Sequence, residues 1–521
     1  MSACTDKSGG KENLTQLLLF NEHEPHSTLY HFRGKTITRE EMKQAVASLA
    51  SQFYQILQPG DSIVICLNDS PSLASAFLAA MAMGAIPTVI NPKCRTANLL
   101  GITKHCGARV LIVEPERIPD LPPMTDTLVI DRPDERLFSD FTLNDKVGYG
   151  EPTWNDFHRK RCHETSYLQY TSGSTAAPKA VIHTINTTLG FSKAYAEGHL
   201  ALSPADLCYS IPKIFFGYGM GNSLFFPLLT GSAAILDDRW PNPSHIIDNI
   251  SRYSPNVLFA VPAVYHMLRE HAELVASLTR LAVSAGAPLP RDEFEFWKNK
   301  GIEVRDGIGA TEVGHIFLSN HAGQAKAGRT GRPLPEYQCK LIDAQGRLIK
   351  QANTRGVLLV KGPGVSPGYL KMPEKNSKVF TSGWYRTGDL FHFDDDGYYR
   401  YLGREDDLFK VNGRKVVPAV VEQKLSGAFD EVIECALTPS TRERDNVKPT
   451  LFLVLRAGSD VNRQVYADWL RAEFDSHMQP RTIVSLSALP RNDNGKVIRS
   501  ELIDQASNLL MLDMESQALC E

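Results

Sequence analysis

The chain has 521 residues, 42% of them hydrophobic and 22% charged. At ~150 residues per domain this is material for about three to four compact units, which excludes a small single module and wholesale disorder. With 56 basic against 59 acidic residues and a net charge of −3, no basic patch stands out and no nucleic-acid partner is expected.

The opening stretch MSACTDKSGGKEN is polar, mixed in charge and lacks the apolar core of a secretory signal. Residues 1–14 are therefore expected as a disordered start, and the protein as cytoplasmic. The nine cysteines, at 4, 66, 94, 106, 162, 208, 339, 435 and 520, show neither CxxC nor metal-ligand spacing and read as reduced and mostly buried. The uncharged run from Pro71 to Ile90 approaches a membrane span in length, yet it is Ala-rich and broken by Gly84 and Pro87. It predicts a buried helix followed by a strand, with no membrane insertion.

Strand-like runs at Ser62–Leu67, Ile86–Ile90, Arg109–Val113 and Thr127–Ile130 alternate with helix-like ones, and the pattern returns at Ala233–Leu236, Val257–Val261 and Leu281–Ser284. Such alternation predicts an α/β fold with largely parallel sheets. From Tyr337 to Tyr401 short strands are parted by Ala344-Gln345-Gly346, Gly362-Pro363-Gly364 and Asp395-Asp396-Gly397, which predicts hairpins forming a small barrel-like part. After Arg404 a further α+β unit is expected, with strands at Val432–Leu437 and Thr450–Leu455 and a helix over Asn462–His477. The expected division is a large N-terminal domain, 15–404, and a smaller mobile domain, 405–521.

The most informative stretch is Tyr170–Ala180, YTSGSTAAPKA. A loop of small hydroxylated residues with exposed N–H groups can wrap a phosphate chain, and Lys179 would add a point charge; a flexible connector is the alternative. GxxxxGK[ST] is absent, so this is no Walker A loop. In Arg305–Glu312, RDGIGATE, glycines let backbone approach a flat ligand, while Thr311 and Glu312 offer oxygens to phosphate or a divalent cation; taken alone it is also an ordinary turn. Asp389 in YRTGD could accept ribose hydroxyls, or simply end a turn. The charged strip GREDDLFKVNGRKVVP, Gly403–Pro418, reads as a solvated turn or a hinge, and Lys496 in PRNDNGK sits at the tip of a polar turn.

Each bland reading stands separately, but the joint order does not. YTSGST..PK, DGIGATE, Thr330–Pro333 (TGRP), YRTGD, GR.DD..K..G and a terminal NGK resemble the motif ladder of the adenylate-forming superfamily across roughly residues 15–505. Pro212–Pro227 (PKIFFGYGMGNSLFFP) and Asp306–Asn320 (DGIGATEVGHIFLSN) resemble its benzoate-CoA ligase branch. That resemblance implies ATP- and Mg²⁺-dependent activation of an aryl acid, anthranilate, followed by transfer to coenzyme A, as the entry step to alkylquinolone signals. It implies Thr171, Ser172, Ser174, Thr175 and Lys179 as the phosphate loop and Asp306 and Gly307 as further nucleotide contacts. Thr311 and Glu312 become contacts to α-phosphate and metal, and Asp389 and Arg404 contacts to ribose. Asp406 is implied as the pivot of the small domain and Lys496 as the adenylation lysine. Phe216, Gly217, Tyr218, Gly286, Ile308, Gly309, Ala310 and His315 would line a flat acid slot; without the family, core packing of the aromatics and a structural His315 are equal alternatives.

Two departures stand out: Ala176 and Ala180 occupy positions that relatives fill with glycine, so either could strain the loop if a positive φ is needed. A benzoate or other aryl-CoA ligase, loading of a carrier protein instead of CoA, and a sensor that binds without turnover are the competing readings. Expected partners are thus the small molecules anthranilate, ATP and CoA, with the oligomeric state left open between monomer and homodimer.

Overall fold

The computed structural model describes residues 10–123, 128–131, 157–171, 179–429, 431–443, 447–456, 458–459, 462–492 and 496–518. The chain divides into two compact units. The first comprises Met1–Leu289, Glu293–Cys339 and Val360–Arg386; the second comprises Pro290–Asp292, Lys340–Leu359 and Thr387–Glu521.

The first unit is built on two sheets. One has six strands in the order Lys179–Thr184, Thr165–Thr171, Ile86–Val89, Ser62–Cys66, Ala108–Val113 and Leu128–Asp131, parallel apart from the first pair. All five residues of Ser62–Cys66 are buried, as a strand covered on both faces requires. The Pro71–Ala82 helix starts on a Ser70 cap that accepts the Leu73 N–H, with Pro71 in the first turn, and buries every residue but Ser72. Among the described residues no helix is long and apolar enough to cross a membrane.

The other sheet has nine strands, in the order Arg332–Pro333, Ile316–Ser319, Val304–Gly309, Leu281–Ser284, Val257–Ala260, Leu207–Ser210, Ala233–Ile235, Thr28–Phe32 and Lys35–Thr38. From Val304–Gly309 to Thr28–Phe32 the neighbours run parallel, and both edges are antiparallel. Tyr265, Phe294, Trp297 and Leu268 pack against it in one apolar cluster. Parallel strands place their C-terminal ends along one rim, the usual location of ligand sites in α/β sheets.

In the second unit, Val432–Pro439, Pro449–Leu455 and Thr482–Leu486 form a mixed three-stranded sheet. Phe409, Val421, Leu425, Leu451, Tyr466 and Leu470 share its core. This is the α+β texture read from the sequence.

Three expectations are corrected. Order begins before residue 15: Lys11–Glu12 pairs with Lys160–Arg161, and buried Asn13 donates to the carbonyls of Met81, Ala82 and His158. Such long-range partners are invisible in a polar stretch; residues 1–9 lie outside the described set. Gly362-Pro363-Gly364 is no hairpin tip but a packed turn, since a Cβ on Gly362 would stand 2.2 Å from the Tyr337 ring and one on Gly364 2.3 Å from the Val313 carbonyl oxygen. Finally, Cys162 is disulfide-bonded, while Cys66, Cys94, Cys106, Cys208, Cys339 and Cys435 are free. Isolated cysteines give no spacing from which a pairing can be read.

Candidate active site

Thr171 and Lys179 face each other in antiparallel register at the ends of adjacent strands, so backbone pairing fixes both ends of the loop between them. The loop itself, with Ser172, Ser174, Thr175 and Ala176, lies outside the described residues. Ala180 is buried in regular pairing with Tyr170 and is not among the residues with positive φ, so its methyl group causes no backbone strain.

A neighbouring segment completes this corner. Leu370 donates to the Ala180 carbonyl, Ile182 to that of Gly368, and Ser366 Oγ to that of Ile182. Tyr369 is thereby held with its ring 5.4 Å from the Lys179 ammonium. Its hydroxyl donates to Glu312 Oε1 at 2.7 Å, and Ser366 N–H donates to the Glu312 carbonyl at 2.8 Å. Glu312, 8% exposed, is thus oriented by a charge-assisted hydrogen bond, and its other oxygen makes none among the described residues. Thr311, half-buried, opens the same helical turn, Thr311–Val313. One hard, oriented carboxylate oxygen fits Mg²⁺, which binds through one or two carboxylates together with substrate phosphates and water.

The second cluster lies at the rim of the nine-stranded sheet. Tyr218, in the short Gly217–Met220 helix, donates its hydroxyl to the Val283 carbonyl at 3.1 Å and sets its ring edge-on to Phe259. His315 lies with its ring 5.5 Å from that of Tyr218, and its Nε2 stands 3.3 Å from the Tyr218 carbonyl oxygen and 3.2 Å from Asn222 Oδ1. Burial pushes the His315 imidazole down to about 3, so it is neutral at working pH. Phe216 packs on Phe215 and is half-buried, as are Ile308 and Ala310.

The glycines do more than clear space. A Cβ on Gly309 would fall 2.8 Å from the His315 backbone, and Gly286 holds φ at +87°, so neighbouring backbone and conformation demand them. At Gly217 the nearest atoms, from Gln169 and Gly314, would be 3.3 Å away. Asp306 is buried, its carboxyl held well above the usual range by desolvation against hydrogen bonds from the Leu289 and Gly307 backbone. Gly307 is packed beneath Ile316 and Ser319.

In the second unit Asp389 and Arg404 are cross-strand partners, with Arg404 Nη1 donating to Asp389 Oδ1 at 2.7 Å. Gly388 at φ +74° and the Thr387 hydroxyl, which accepts the Asp389 N–H, fix the carboxylate's direction. Asp406 is exposed in the helical turn Glu405–Asp407, while Asp407 is tied to Arg499 at 3.3 Å. Lys496 is exposed where Arg491 bridges Val497, with Asn492 Oδ1 accepting its N–H; it closes the turn opposite Asn492, and the tip, residues 493–495, lies outside the described residues.

A family model described as "AMP-binding enzyme" matches residues 20–370. The chain belongs to the AMP-binding enzyme family. It is 49% identical to the anthranilate–CoA ligase of Pseudomonas aeruginosa, over 98% of this chain and 99% of the relative. It is 32% identical to the benzoate–CoA ligase of Thauera aromatica, over 86% of each. Among solved structures it is similar to an anthranilate CoA ligase, AuaEII, in complex with anthranoyl-AMP, with a TM-score of 0.84 and 26% identity over 96% of this chain and 98% of that one.

Within this AMP-binding enzyme two contributors escaped the sequence reading. Tyr369 carries no catalytic signature by type, and only the pairing of its segment with Lys179–Thr184 reveals it. Asn222 lies in the quoted Pro212–Pro227 run, where nothing in the sequence singles it out. A cavity of about 590 Å³ lined by Gly60, Gly84, His158, Lys160, His163 and Glu164, among others, also touches Ile182 of the first cluster but no residue of the second.

Proposed function

We propose that this AMP-binding enzyme activates anthranilate with ATP to anthraniloyl-AMP and pyrophosphate, then transfers the acyl group to the thiol of coenzyme A with release of AMP. The observation that carries the reading is 49% identity, over nearly the full length of both chains, to an anthranilate–CoA ligase, supported by the uncharged aromatic cluster around Tyr218 and His315. Attack of a carboxylate on the α-phosphate brings two anions together, so positive charge and orientation are what the protein must supply.

In this reading Thr171, Ser172, Ser174, Thr175 and Lys179 hold the phosphates, and Thr311 contacts the α-phosphate. Glu312, oriented by Tyr369, holds Mg²⁺, which when bound neutralises phosphate charge. Asp389 and Arg404 take the ribose hydroxyls, with Asp306 and Gly307 as further nucleotide contacts. Phe216, Gly217, Tyr218, Gly286, Ile308, Gly309, Ala310 and His315 receive the ring. Lys496 supplies the mobile cation for adenylation, and Asp406, which lies inside the second unit, serves as the pivot for the thioester step. The product's use in alkylquinolone synthesis and a cytoplasmic location belong to the same proposal.

The test is incubation with anthranilate, ATP, Mg²⁺ and CoA, read by mass spectrometry. Anthraniloyl-CoA is expected; an adenylate that CoA does not consume, but a carrier protein does, would overturn the second half-reaction.

A further inference from the structure

Behind the aryl slot runs a hydrogen-bond relay whose direction is fixed at both ends. Ser210, the last residue of its strand, donates its hydroxyl to the Pro212 carbonyl at 3.0 Å. A hydroxyl has one hydrogen, so toward Asn222 the same oxygen can only accept, and Asn222 Nδ2 donates to it at 3.3 Å. That sets the amide with Oδ1 toward His315 Nε2, 3.2 Å away, while the same nitrogen faces the Tyr218 carbonyl at 3.3 Å. Both neighbours are acceptors, so Nε2 carries the proton and Nδ1 the lone pair; among the described residues Nδ1 is buried without a partner. Asn222 is fully buried and sits in a π-helical turn, Gly221–Phe225, a local irregularity that recurs at functional sites.

We propose that Ser210 and Asn222 are positioning residues that hold His315 as the neutral Nε2–H tautomer and, through its bond to the Tyr218 carbonyl, set the wall of the aryl slot. The role in the slot rests on the reading that Tyr218 and His315 line it. Phe191, Tyr195, Tyr218 and Phe226 surround the imidazole. The two tyrosines stay protonated because burial raises both hydroxyls, and the nearby Asp306 carboxyl is likewise held toward its neutral form. The wall is therefore uncharged, and the acid's carboxylate finds its counter-charge elsewhere.

The experiment pairs histidine ¹⁵N NMR with steady-state kinetics on the full-length enzyme. His315 signals are assigned by loss in His315→Gln, and the variants are Asn222→Asp, Ser210→Ala and the conservative Ser210→Thr. The native enzyme is expected to show the Nε2–H tautomer with no His315 titration from roughly pH 5 to 9. Asn222→Asp places a carboxylate against Nε2, so His315 should begin to titrate in that range. An added ionisation should then appear in the pH profile for anthranilate, with the anthranilate KM raised about 10-fold and the ATP KM unchanged. Ser210→Ala, which preserves volume and removes the anchor, should mix the tautomers and raise the anthranilate KM a few-fold, and Ser210→Thr should restore both readouts. An Nδ1–H tautomer in the native enzyme, or an unchanged tautomer in Ser210→Ala, would overturn the relay. If the tautomer shifts while the anthranilate KM stays put, the relay stands and the assignment of His315 to the slot falls.

Discussion

The slot cluster and the charged turns of the second unit solve opposite problems. Around Tyr218 and His315, titratable groups are buried and held neutral, their directions fixed by backbone carbonyls such as those of Val283 and Tyr218. Lys496 and Asp406 instead stand exposed on short turns. In the proposed reading, the contrast teaches that recognition of the ring falls to uncharged surface, and the charge needed for phosphoryl chemistry to exposed groups. A buried permanent cation in the slot would cost desolvation free energy whether or not substrate was bound.

The sharpest way to break that division is Lys496→Ala. Adenylation should fall by about 10²–10³-fold, the scale of one lost charge-stabilising contact, while thioester formation from supplied anthraniloyl-AMP is spared; equal loss of both half-reactions would erase the distinction. Glu312→Gln should lower pyrophosphate release by about 10²-fold and weaken its dependence on Mg²⁺, and Tyr369→Phe should reproduce a smaller part of that effect. On the slot side, Gly309→Ala should raise the acid KM about 10-fold, because its methyl would fall 2.8 Å from the His315 backbone. Gly217→Ala, with its nearest contact at 3.3 Å, should change it only a few-fold. Matching effects from the two substitutions would show that backbone approach does not shape the slot.

The neutrality of buried groups has a pH consequence of its own. Burial brings His183 down to about 4 and His315 to about 3, below the 6.5 of an exposed imidazole. On acidification the unfolded chain therefore takes up protons that the folded chain does not. The stability tied to these residues is present above their unfolded value and lost as pH falls through the window toward their folded values. The slope is up to about 1.4 kcal/mol per pH unit for each. Urea unfolding across that window should show it, and His183→Gln should flatten it; an unchanged slope would place His183 in contact with water.

The alternating strands and the helix after Pro71 were legible because their hydrophobic patterns are local. The motif residues were legible as chemistry because Thr, Ser, Lys, Glu and Asp advertise donors, acceptors and charge. Tyr369 and Asn222 were not, since their importance comes from which backbone segment lies beside Lys179–Thr184 and which carbonyl faces Ser210, and both are facts of tertiary pairing. In the sequence Gly309 reads as part of a Gly-rich turn whose missing side chain leaves room for a ring, but its place at the end of a strand and the closeness of the His315 backbone appear only once the adjacent antiparallel strand is in place.

The most direct test of the account is anthranilate-dependent pyrophosphate release, measured beside benzoate, salicylate, 4-hydroxybenzoate and acetate. The account predicts the highest kcat/KM for anthranilate, benzoate next, and little release with acetate, which leaves the slot unfilled. Preference for acetate or a long aliphatic acid would contradict it.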